Sequence, residues 1–209
     1  MPYYAFIWDL DGTLFDSYPV IAPSLRDTCA ELGLSYPLDY VHDFVIRSSV
    51  SALIQQAAEQ LGLDPAVIKT RYSRISNSRN GQIRAMPGAL PLLSALREAG
   101  WPSFVYTHRG ASSFEILENT GLAPFFTEVL TSQCGFPRKP DPAAICYLLE
   151  RYGLDPASTY YVGDRSLDIE AAKRAGIRSI LYLDPRSPGK PTGLEDHVVH
   201  DLTEILSLL

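Results

Sequence analysis

The sequence predicts an α/β protein: a doubly wound, Rossmann-like parallel sheet with an inserted helical domain. Short apolar runs without polar alternation recur between stretches of helical period, the pattern of strands covered on both faces. Polar residues, Asp9, Thr107 and Asp164, fall at the ends of three of these runs, where open α/β sheets bind ligands. Between Phe15 and Arg84 the helical periodicities run on with no convincing strand.

Tyr4 to Trp8 is the first buried strand, ending in acid and glycine. The insert follows, with helical patterns over Val20 to Leu32, Val41 to Leu61 and Pro65 to Ser78. Its closing stretch is polar and carries Arg71, Arg74, Arg79 and Arg84. Gly88 to Ala99 then reads as an amphipathic helix stopped by Gly100, and Ser103 to Tyr106 as a second strand. A helix over Ser112 to Asn119 is closed by Gly121, Glu128 to Thr131 reads as a strand, and Pro142 to Tyr152 as a helix opened by proline. Thr159 to Val162, a helix over Ser166 to Ala175, and a strand over Ser179 to Leu183 complete the alternation; Asp184 to Gly193 is the densest loop signal. The domain assignment is therefore residues 1–14 and 85–209 as the α/β core and 15–84 as the insert.

A chain of 209 residues, 46% hydrophobic and 20% charged, has the makeup of an ordinary globular protein. Its net charge of -6 offers no positive field for a polyanionic backbone, so nucleic acid is not an expected partner. The first apolar run stops at Asp9, far short of a signal peptide or membrane span, and the three scattered cysteines suit a reducing cytoplasm. Nothing in the pattern signals an oligomeric state.

Asp9-Leu10-Asp11-Gly12-Thr13 sets two carboxylates two residues apart beyond a strand, with Gly12 permitting the turn that would aim one at a ligand. One is then available as nucleophile, the other as acid or base and as a carbonyl donor to a metal. Taken alone, the pair equally reads as capping exposed amides. Gly163-Asp164-Arg165-Ser166-Leu167-Asp168 adds a second acidic pair at a strand-to-helix junction, suited to magnesium together with Asp9 and the Asp11 carbonyl, or merely to capping the helix. Lys139, between Arg138 and Pro140, would neutralise a phosphate if turned toward the acids; Thr107 offers a hydroxyl and amides to a phosphoryl oxygen.

Together these four pieces, in this order and over essentially the whole chain, resemble the haloacid dehalogenase superfamily; Asp9 to Ser17 is close to that family's commonest opening. The helical insert is similar to the cap of its phosphoglycolate phosphatase-like branch. The resemblance implies a phosphatase acting on a small phosphorylated metabolite, with Asp9 attacking phosphorus and Asp11 as general acid and base. It implies Mg²⁺ held by Asp9, the Asp11 carbonyl and Asp164, phosphate binding by Thr107, Lys139, Gly12 and His108, and Asp168 as a supporting group. Asp11 argues against a dehalogenase or phosphonatase; a β-phosphoglucomutase-like mutase is the alternative. His108 departs from the asparagine usual after the family's Thr, and with Arg109 is expected to line the mouth. Arg47, with Ser48 and Ser49 in a loop between cap helices, either enters the site to bind a carboxylate or second phosphate or stays on the solvated surface, and the cap is expected to close about Phe15 and Arg84.

Overall fold

The computed structural model describes residues 3–209. They form two units, one containing the chain up to Asp16 and Ala85–Leu209, the other Ser17–Arg84.

In the first unit, β1 (Ala5–Trp8), β2 (Ser103–Tyr106), β3 (Phe126–Leu130), β4 (Thr159–Gly163), β5 (Arg178–Tyr182) and β6 (His197–Val199) form one parallel sheet in the order β3-β2-β1-β4-β5-β6. Winding reverses at β1, so the crevice for a ligand opens between the carboxyl ends of β2, β1 and β4. The strands β1, β2 and β4 are buried throughout, which is why they lack polar alternation in sequence. Alternate residues still serve different faces. Ala5 and Ile7 join Phe104, Tyr106, Leu130 and Tyr161 in a cluster with Ala144, Ile145, Leu148, Ala171 and Ala172. Phe6 stacks on Trp8 and on Tyr160, and the Trp8 indole N–H donates to Ser103 Oγ at 3.2 Å.

The flanking helices are Ala89–Glu98, Ser112–Asn119, Ala143–Tyr152 and Ser166–Ala175. Four of the predicted strands differ in their bounds: β1 begins at Ala5, β3 begins two residues and ends one residue earlier, β4 runs on to Gly163, and β5 lies one residue earlier. The short edge strand β6 and the 3-10 helix Leu202–Ser207 carry too few residues for a periodic signal and were not expected. Asp184 to Gly193 has neither helix nor strand, but Arg186 ties it down through ion pairs to Asp184 and Asp16.

The second unit has four helices: α1 (Tyr18–Glu31), α2 (Leu38–Arg47), α3 (Val50–Leu61) and α4 (Pro65–Asn77). The periodicity over Val41 to Leu61 is two helices, not one. Ser49 is extended and its hydroxyl accepts from Ala52 N at 3.0 Å, so it caps α3 and ends the run at Ser48. One apolar stripe nonetheless carries through, because Val41, Val45, Ile46, Leu53, Ile54 and Ala57 all join Leu25, Cys29 and Ile68 in a single core. Among the described residues no helix is long and apolar enough to cross a membrane, and all three cysteines are free thiols.

Candidate active site

The loop after β1 is wound around one carbonyl. The amides of Thr13, Leu14 and Phe15 all donate to Leu10 O at 2.8–3.1 Å, and Gly12 N returns a bond to Phe15 O. This curl needs Gly12 at φ 82°, a conformation costly for any residue with a Cβ. Leu10, Leu14 and Phe15 anchor the loop with no exposed surface. The polar members of the motif are left facing the crevice at the end of β1. Asp9 is itself almost wholly buried, its amide held by Val162 O at 2.9 Å.

Lys139 has no exposed side-chain surface, and its ammonium lies 2.6 Å from Asp168 Oδ1, 3.1 Å from Asp9 Oδ1 and 2.9 Å from the Tyr161 hydroxyl. An ammonium has three protons, and here they go to Asp168 Oδ1, the Tyr161 hydroxyl and, at 3.5 Å, Tyr106 O, with Asp9 as a further ion-pair partner. Tyr161 can accept because its own proton goes to Tyr106 O at 2.7 Å; burial, then Asp168 and Asp9, push its phenol well above the ordinary range and keep it neutral. The rings of Tyr106 and Tyr161 lie 5.4 and 5.3 Å from the same ammonium. Asp168 is fully committed: Oδ1 takes Lys139, and Oδ2 takes Arg165 N at 3.1 Å, closing the N-terminus of the helix Ser166–Ala175. Burial raises the Asp168 carboxyl, and Lys139 opposes that rise.

The second oxygen of Asp9, Oδ2, is buried without a hydrogen-bond partner, the nearest cation being Arg165 at 3.9 Å. Ligand oxygens of Asp9, Asp164 and Asp168 lie within 4.8 Å of one another. Asp164 accepts from Thr13 Oγ1 at 3.3 Å. Clustered carboxylate oxygens with one left orphaned suit a small hard divalent cation. Asp168 belongs to this cluster by distance, and each of its oxygens already accepts one hydrogen bond.

The other expected residues sit differently. Thr107 is buried at the end of β2, its hydroxyl accepting from Arg109 N at 3.1 Å. His108 is turned to the lysine loop, where its Nε2 accepts from Lys139 N at 2.7 Å. Nδ1 lies 3.1 Å from the Arg138 guanidinium, which can only donate, so a neutral ring with its one accepting nitrogen answers one of the two contacts at a time. Burial, then Lys139, Arg138 and Arg165, depress its pKa to about 2, so the ring is neutral. His108 thus orders the backbone that carries Lys139. The Asp11 carboxylate is gripped by Arg109, with Nε 3.0 Å from each oxygen and Nη2 2.6 Å from Oδ1. Arg47, in the second unit, is 64% exposed and 3.9 Å from Asp43.

Sequence reasoning misses Arg165 beside Asp9 and Tyr161 beneath Lys139, and it places Arg109 at the mouth without its grip on Asp11. Arg109 follows Thr107 by two and Arg165 follows Asp164 directly, so nearness to a motif was the available signal.

An acidic loop after β1 at the winding reversal, completed by a buried lysine and a second acidic junction after β4, defines a hydrolase of the haloacid dehalogenase-like family, to which this chain belongs. The family model described as haloacid dehalogenase-like hydrolase matches residues 6–182. The chain is 30% identical over 219 residues to the plasmid phosphoglycolate phosphatase of Cupriavidus necator, covering all of this chain and 94% of the relative. It is 32% identical over 189 residues to the phosphoglycolate phosphatase of Rhodospirillum rubrum, covering 85% of this chain and 78% of that one. A crystal structure from Haemophilus somnus, described as a predicted phosphoglycolate phosphatase, superposes with a TM-score of 0.85 at 24% identity, covering 99% and 97% of the two chains. Another, a HAD family hydrolase from Deinococcus radiodurans with bound phosphate and sodium, gives 0.79 at 22%, covering 99% and 95%.

Proposed function

We infer that the protein is a magnesium-dependent phosphatase of small phosphomonoesters of the phosphoglycolate kind, working through an aspartyl-phosphate on Asp9. The observation that carries this reading is the orphaned Asp9 Oδ2, a buried carboxylate oxygen at the crevice with cations beside it and no donor of its own. Such an atom costs free energy in isolation, and a site that keeps one has a use for it. Asp9 Oδ2 attacks phosphorus in line, forming the Asp9–phosphorus bond as the ester oxygen departs; water then cleaves the acyl phosphate and restores the carboxylate.

Asp9 and Asp164, with the Asp11 carbonyl, would hold Mg²⁺, which when bound lowers the repulsion between a dianionic phosphate and a carboxylate nucleophile. Lys139 contributes to the same end with a charge already oriented by Asp168 and Tyr161. Thr107, fixed by Arg109 N, offers its hydroxyl to a phosphoryl oxygen. Asp11 donates a proton to the leaving oxygen and afterwards takes one from the attacking water. The names of the curated relatives support the substrate class.

Phosphate release from 2-phosphoglycolate and a panel of phosphomonoesters, with and without Mg²⁺, tests this reading. Asp9→Asn is expected to lose release by at least about 10³-fold, measured on protein whose circular dichroism matches the parent's. Interconversion of glucose phosphate isomers with little release would replace the hydrolase by the mutase.

A further inference from the structure

The grip of Arg109 on Asp11 has to be broken before Asp11 can serve a leaving oxygen, because both carboxylate oxygens already accept from one guanidinium. Both groups are well sheltered, with 8% and 22% of their side-chain surface exposed, so water does not readily replace either partner. The Arg109 backbone does not move easily. Its amide is held by Thr107 Oγ1 at 3.1 Å and its carbonyl accepts from Ser132 N at 3.0 Å. Any exchange of partners therefore falls to the side chain, a long arm whose root stands two residues from Thr107.

We propose that Arg109 determines specificity by exchanging the Asp11 carboxylate for a carboxylate on the alcohol half of the substrate. This rests on the phosphatase reading above and adds the residue that selects the leaving group. The guanidinium meets Asp11 through Nε and Nη2, the planar fork that pairs most strongly with a carboxylate. A substrate carboxylate offers Arg109 charge-assisted hydrogen bonds of the kind it gives up at Asp11, so the guanidinium is not left unpaired. A neutral alcohol offers no replacement, Arg109 stays on Asp11, and the acid–base group remains occupied. Selection therefore operates on turnover as well as on binding: an ester with the carboxylate both binds Arg109 and frees Asp11.

The experiment compares 2-phosphoglycolate with its uncharged carboxamide analogue, using the parent enzyme, Arg109→Met and Arg109→Lys. The parent is expected to favour the acid by roughly 10- to 100-fold in kcat/KM, the worth of a hydrogen-bonded charge. Arg109→Met loses that preference because kcat/KM falls further on the acid than on the carboxamide. Arg109→Lys keeps charge without the fork and falls between the two, which provides the answer if the methionine variant does not fold. Equal losses on both substrates, or a preference that survives in Arg109→Met, overturn the assignment while leaving the phosphatase intact. A parent enzyme inactive on both esters refutes the phosphatase reading instead, and the assignment falls with it.

Discussion

Replacing Lys139 with methionine removes a charge from the centre of the catalytic unit and leaves its partners in place. At an effective dielectric constant near 20, an ammonium 2.6 Å from Asp168 and 3.1 Å from Asp9 gains about 6 and 5 kcal/mol of Coulomb energy. Most of that offsets the cost of burying all three groups. The variant keeps the burial without the attraction. Two carboxylates whose oxygens lie within 4.8 Å then repel by about 3 kcal/mol or more on the same scale. A net loss of about 3–5 kcal/mol near neutral pH is expected, the range for removing one member of a buried pair.

Its pH dependence identifies the cause. Burial already raises the Asp168 carboxyl, and removing Lys139 takes away the largest influence that lowers it and leaves only Arg165 in opposition, so the folded variant binds a proton that the unfolded chain has released. The stability of such a state is fully present below the unfolded carboxylate pKa and is lost as pH rises through the folded one. Lys139→Met should thus recover toward the parent in mild acid, and Lys139→Met with Asp168→Asn should recover much of the loss at neutral pH. Urea unfolding followed by the fluorescence of Trp8, which has no exposed surface, reads the sheet unit. A single variant within about 1 kcal/mol of the parent at every pH would refute the account of Lys139 as the neutralising centre.

Gly163→Ala would put a Cβ 2.4 Å from Cβ and Cγ of the fully buried Asp168, with no room to shift; a loss of about 3 kcal/mol or more in urea unfolding is expected, along with weaker activity as Lys139 is disturbed. His108 is neutral in the folded state, with its pKa at about 2 against 6.5 in the unfolded chain, so unfolding takes up a proton as pH falls below about 6.5. The parent should therefore lose about 1 kcal/mol between pH 7 and pH 5, after allowance for partial exposure of the ring, and His108→Gln should lose less over that interval while keeping an acceptor for Lys139 N.

The fold was legible in the sequence because its strands and helices are written in local periodicity. Ala5–Trp8, Ser103–Tyr106 and Thr159–Gly163 are buried on both faces and so read as unbroken apolar runs, and the acids and Thr107 stood at their ends. Asp9, Asp164, Asp168 and Lys139 were marked for one site by motif, and the structure brings them together. Where local signals were weak the reading failed: the break at Ser48 depended on a single serine cap, and β6 is only three residues long. Which charges touch was decided by tertiary structure alone. Asp11 and Arg109 are far apart in the chain, as are His108 and the Lys139 amide, and their pairing follows from parallel strands that bring three loops to one edge of the sheet. Sequence position names the charged groups, but their partners are set by distances that exist only once the strands are in register, and the partners determine which carboxylate is orphaned, which is neutralised and which is held by a side chain that can turn away.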